Sequence, residues 1–97
     1  MVYIPYNKGG DIMPTISTFY GITIMMRLRE KEHDPPHIHA VYGEYRASFS
    51  LKDGEFLTES KFPIRASQMV KEFILENQKE LLEMWNTQKF KKLKGLN

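Results

Sequence analysis

Residues 37–61 read HIHAVYGEYRASFSLKDGEFLTESK, and their punctuation decides the fold. His37–Tyr42 has the composition of a strand, and Gly43-Glu44 turns it back into Tyr45–Leu51. There Tyr45, Ala47, Phe49 and Leu51 alternate with Arg46, Ser48 and Ser50, the period-two pattern of a strand with one apolar face. Asp53-Gly54 is the strongest hairpin signal in the chain, because a type I′ turn needs positive φ and this dipeptide adopts it at low cost. The turn predicts a further strand over Glu55–Lys61.

Upstream, residues 18–29 read as one strand: Tyr20, Ile22, Ile24, Met26 and Leu28 form its more apolar side. Four sequential strands with short turns make an antiparallel meander. Downstream the period changes. Val70, Phe73, Ile74, Leu81, Met84 and Trp85 fall on one helical stripe, opened by Pro63 or Ile64, since proline is tolerated in a first turn. Asn77 interrupts the stripe, and Asn77-Gln78-Lys79-Glu80 spells a capping box. Two helices, about 64–76 and 78–90, are therefore expected, with a single long helix as the alternative. The stripe needs a partner, and the meander face is large enough to serve. The fold expected is α+β: a four-stranded antiparallel meander followed by two C-terminal helices packed on one face.

The chain has 97 residues, 41% hydrophobic and 27% charged, the composition of one small globular domain. It has no cysteine, which excludes disulfides, thiolate metal sites and cysteine nucleophiles. No apolar run approaches the roughly 20 residues of a membrane span, and residues 1–10 lack the pattern of a secretory signal. A soluble, cytoplasmic protein without a membrane partner is expected. Lys8-Gly9-Gly10-Asp11 marks residues 1–12 as a flexible extension ahead of a domain at 13–88. The net charge of +2 is unevenly spread: Lys89, Lys91, Lys92 and Lys94 put +4 into residues 89–97, leaving −2 on the rest. This basic tail is expected to be solvated; contact with nucleic-acid phosphates is the alternative.

Chemistry concentrates in HDPPHIHA, residues 33–40. Residues two apart on a strand point the same way, so His37 and His39 share a side and are expected to project outward together. His33 is placed to swing in from the loop as a third ligand, with Asp34 or Glu44 completing the shell of a zinc or manganese site. Metal-bound water would then need a base, a role open to Asp34 or Glu44. Pro35-Pro36 stiffens the loop, which suits a binding surface and also suits a plain structural link. Arg27, Arg29 and Arg46 form a basic strip beside the histidines if the strands pair, partly offset by Glu30, Glu32 and Asp34. Arg65 is a solvated helix-start charge or an anion contact. Ser48 and Ser50 have no nucleophile elbow around them, and no glycine-rich phosphate loop occurs. Trp85 belongs to the core.

MPTISTFYGITI (13–24), HDPPHIHAVYGEYRASFSLKDGEFL (33–57) and FPIRASQMVKEFILENQKELLEMW (62–85) resemble the small bacterial family called domain of unknown function 4160. The resemblance spans about 13–88 and makes Met13 the usual first residue of the family, with 1–12 an unusual extension. It implies a short stand-alone protein, often encoded beside another small protein in the manner of a toxin–antitoxin pair. That implies an interaction or regulatory module with a small protein partner or self-association. The family's motif maps onto Asp34, Pro35, Pro36, His37, His39, Tyr42, Gly43, Glu44 and Arg65, and no catalytic role comes with it. The sequence thus carries two leading readings. One is a binding module whose surface is His33, Asp34, Pro35, Pro36, His37, His39, Tyr42, Glu44 and Arg65. The other is a divalent-metal hydrolase, of which a nuclease is one form, with His33, His37 and His39 as ligands.

Overall fold

Alternation along paired strands, closed by tight turns, builds the sheet. The computed structural model describes residues 13–27 and 35–97. In chain order the elements are β1 (Thr15–Phe19), β2 (Ile22–Met25), β3 (His37–Tyr42), β4 (Tyr45–Ser50), α1 (Ile64–Glu76) and α2 (Gln78–Thr87). The strands form one sheet in the order β1-β2-β3-β4, every pair antiparallel. The α+β meander with two C-terminal helices is therefore the architecture, although its strands are not all the ones the sequence suggests.

The expected strand over 18–29 is folded in two. Tyr20 and Gly21 both take positive φ, 48° and 80°, and reverse the chain between the paired residues Phe19 and Ile22. Two consecutive positive-φ residues are the requirement of a type I′ hairpin. Tyrosine disguises it, because asparagine or aspartate usually fills the first place. The end of that expected strand, residues 28 and 29, lies outside the described residues, as do the 1–12 extension and the 28–34 loop.

The expected strand over 55–61 does not form. Phe56 makes only a single bridge with Phe49, and the Leu57 N–H donates to the Ser48 carbonyl at 3.0 Å. Asp53-Gly54 does reverse the chain, but only Gly54 has positive φ (75°), so the turn is not type I′. The polar residues Thr58, Glu59 and Ser60 offer no apolar face to hold an edge strand. Phe56 and Phe62 instead fold onto Phe49, with ring centres 4.9 and 5.5 Å away. Gly54 is also required by proximity: a Cβ there would stand 2.7 Å from Cγ of Lys71.

One sheet face carries Phe19, Ile22, Ile24, Ile38, Ala40 and Phe49, all buried. Val70, Phe73, Ile74, Leu81, Met84 and Trp85 of the helices close over it in one core. Phe19 and Phe73 stack with ring centres 5.0 Å apart. The helices do break at Asn77, but not by the expected capping box. The Asn77 side chain makes no N-cap bond to α2; its amide donates back to the Phe73 carbonyl at 2.9 Å. Its own N–H bonds to the Phe73 and Ile74 carbonyls, which makes it the terminator of α1. Gln78 then ties the hinge to the sheet, donating to the Leu51 and Lys52 carbonyls at 2.7 and 2.8 Å. Left-handed Gln88 (φ 61°) ends α2 three residues earlier than expected.

The basic C-terminal segment is not merely solvated. Leu93 donates its N–H to the Ile16 carbonyl at 2.7 Å on the outer side of β1. Phe90, Leu93 and Leu96 pack on the core, and a Cβ at Gly95 would meet Phe19 at 2.7 Å. The four lysines stay exposed, and Lys91 pairs with Glu80 at 2.8 Å. The segment thus covers the free edge of β1, where unpaired backbone groups would otherwise invite association. Among the described residues no helix is long and apolar enough to cross a membrane.

Two outcomes follow from this packing. Phe73→Ala is expected to cost about 3–5 kcal/mol in urea unfolding, because it removes a fully buried ring. Truncation after Gln88 is expected to lower stability by roughly 2 kcal/mol or more. Unchanged stability on truncation would show that the segment does not support the core.

Candidate binding cleft on the open sheet face

Period two that points Ile38 and Ala40 at the helices must point His39 and Val41 the other way. Register then chooses their company. His39 lies between Met25 of β2 and Ser48 of β4, and Val41 lies between Thr23 and Arg46. Arg27 continues the same side of the chain two residues beyond Met25. A cleft of about 300 Å³ opens here, lined by Met25, Arg27, His39, Arg46, Ser48 and Thr58 among others, with no carboxylate among the described residues that line it.

At the centre, the Ser48 hydroxyl and Nδ1 of His39 are 3.2 Å apart. Nε2 of His39 is buried and has no hydrogen-bond partner. In either neutral tautomer one ring nitrogen is left unsatisfied, at a cost of roughly 1–3 kcal/mol for a buried polar atom. Burial is the main reason the His39 imidazole is pulled down from the ordinary 6.5 to about 4, with the charges of His37 and Arg27 adding to it. The ring is therefore neutral at neutral pH.

His37 shares this side, its ring centre 5.0 Å from that of His39 and nearly perpendicular to it. The expected outward projection is corrected for His37, which is only 5% exposed. Its ring also stands 5.0 Å from that of Trp85, so α2 reaches the end of β3 and covers it. Nδ1 of His37 donates to the Pro35 carbonyl at 2.9 Å, which requires the proton on that nitrogen. The Leu51 N–H bonds to the Pro36 carbonyl at 2.9 Å, fastening the proline corner to the end of β4.

The remaining expected surface is scattered. Tyr42 is half-buried on the helix side, 6.3 Å from the Phe62 ring. Glu44 is exposed in the β3–β4 turn, at the opposite end of β3 from His37, too far to share a metal with it. Arg65 is exposed on the first turn of α1, in the helical layer. His33 and Asp34 lie outside the described residues. Among those described, no three histidines, aspartates or glutamates gather as a metal site. Ser48, Thr58 and Met25 were not singled out by motif. The signal for Ser48 was available: counting four places outward from the Gly43-Glu44 turn sets it opposite His39.

A family model for a domain of unknown function (DUF4160) matches residues 21–86, more than half of the chain. The chain belongs to this family. The matched region contains His37, His39, Arg46 and Ser48, and so nearly the whole lining of the cleft. No curated protein and no solved structure matches the chain.

The buried neutral imidazole sets a pH dependence. Above about 6.5 neither folded nor unfolded chain protonates His39; between 6.5 and 4 the unfolded chain alone takes up the proton. Its contribution is thus intact above 6.5 and is lost as pH falls toward 4, approaching ~2–3 kcal/mol. Wild type should lose more stability than His39→Gln across this range in urea melts. Parallel curves would place His39 in water.

Proposed function

We propose that the protein is a small binding and regulatory module, one half of a two-protein pair, that makes its contact through the sheet face around His39. The observation that carries this reading is the cleft itself: two arginines, two hydroxyls and an unsatisfied imidazole nitrogen, with no acid among the described residues that line it. Unsatisfied buried polar atoms in a cleft are costly to maintain and are commonly met by a ligand or partner. The excess of donors selects a partner whose contact patch is negatively charged. No helical residue is among the described residues that line this cleft.

The test is co-expression with the product of each adjoining reading frame, followed by size-exclusion chromatography without a tag. A stable complex is expected, weakened roughly tenfold or more by Arg46→Glu, which reverses a charge on the exposed rim. A lone monomer, or a complex indifferent to Arg46→Glu, would remove the basis for the reading.

The metal-hydrolase alternative has one favourable observation. Nδ1 of each histidine, His37 and His39, faces an oxygen, at Pro35 and Ser48 respectively. Metal-binding histidines commonly anchor one nitrogen in this way and ligate through the other. Elemental analysis of untagged protein decides it. Stoichiometric zinc or manganese, lost in His37→Ala and His39→Ala, would displace the module reading, and substoichiometric metal would end this one.

A further inference from the structure

We infer that the cleft around His39 is a binding site for a small molecule carrying a phosphate monoester, a ligand that would act on the module through its contact face. This deepens the reading above and rests on it.

The donor geometry selects the anion. Arg46 sits in the Thr23–Val41–Arg46 row of the sheet, and Arg27 lies on the other side of the Met25–His39–Ser48 row. The two arginines thus stand two same-face rows apart, about 13–14 Å along the strands, and line the cleft from opposite ends. Arg46 is exposed and takes part in neither ion pair found among the described residues, which join Lys71 to Glu55 and Lys91 to Glu80. Between the arginines lie the Ser48 and Thr58 hydroxyls and the buried Nε2 of His39. When the Ser48 hydroxyl donates to Nδ1, Nε2 carries the ring proton and takes the place of that hydroxyl as the fourth donor group.

A carboxylate offers these four donor groups two oxygens and a single charge. A phosphate monoester presents three terminal oxygens and close to two charges, and guanidinium forks match it in pairs. A phosphate alone does not account for the rest of the cleft. Its volume of about 300 Å³ also includes Met25, Val41 and Ala47, an apolar strip that would lie beside an organic group. A dianion at this place also offsets the main cost of charging His39, so binding is expected to be accompanied by proton uptake at mildly acidic pH.

The test uses the full chain in excess chelator, titrated by calorimetry and by NMR of the histidine rings. The probes are inorganic phosphate, ribose 5-phosphate and adenosine 5′-monophosphate, with acetate as control. Saturable one-site binding is expected, with the His39 resonances shifting. Arg46→Ala should weaken it roughly tenfold, and Ser48→Ala should weaken it with the fold intact by circular dichroism. Tighter binding of either ester than of phosphate assigns an organic ligand, and equal affinity assigns phosphate itself; both support the site. No saturation by about 10 mM of any probe, acetate binding as well as phosphate, or an Arg46→Ala variant of unchanged affinity overturns it. If the protein pair forms normally while no phosphate binds, this inference falls and the module reading stands. If neither is observed, both fall.

Discussion

The stack of Phe19 on Phe73, 5.0 Å between ring centres, joins the first strand to the first helix, and it stands for the constraint that organises this protein: one face of the sheet is sealed. Burial of Ile22, Ile24, Ile38, Ala40 and Phe49 on that face leaves no freedom to the residues between them. A one-residue slip of β3 would send Ile38 to water and His39 into the core. The histidine, the hydroxyl and the arginine at the open face are thus held in place by apolar contacts on the opposite side. Side chains positioned by a core they do not touch are held in one arrangement.

On the open face the strongest competition is between solvation and hydrogen bonding at His39. Burial disfavours its charge, and the 3.2 Å contact with Ser48 satisfies only one of its two nitrogens. The neutral ring shares its cleft with two arginines, Arg27 and Arg46. His37 plays another part. Packed against Trp85 and fastened to the Pro35 carbonyl, it braces the proline corner from which β3 departs. The two histidines are adjacent on one side of the strand, yet one is structural and the other faces the cleft.

Much of the architecture was legible because it follows from period. The β3–β4 hairpin, the helical stripe from Val70 to Trp85 and the break at Asn77 each show in a window of neighbouring residues. The errors arose where two rules competed. Tyr20-Gly21 reads as strand by composition, but the chain turns there because the sheet gains an antiparallel partner for Ile22 and Ile24. Glu55–Lys61 follows a good turn signal, but its aromatic residues are worth more stacked on Phe49 than spaced along an edge strand. Asn77 has the spelling of an N-cap, but its amide reaches back to the Phe73 carbonyl in the last turn of the helix it ends. The lysines of the tail concealed Phe90, Leu93 and Leu96, which lie on the core beneath them.

By itself the sequence determined the layers, an alternating meander and an amphipathic helical stripe, and it put His37 and His39 on one side of their strand, since each of these is a property of local spacing. Tertiary structure alone decided which of the two histidines is covered, because Trp85 lies 48 residues away along the chain and only packing brings it to His37. It also decided that Arg27, Arg46, Ser48 and Thr58 share a cleft with His39, while Tyr42, Glu44 and Arg65 do not. Register and layer closure join residues distant in sequence, and neither is written in any short stretch of it.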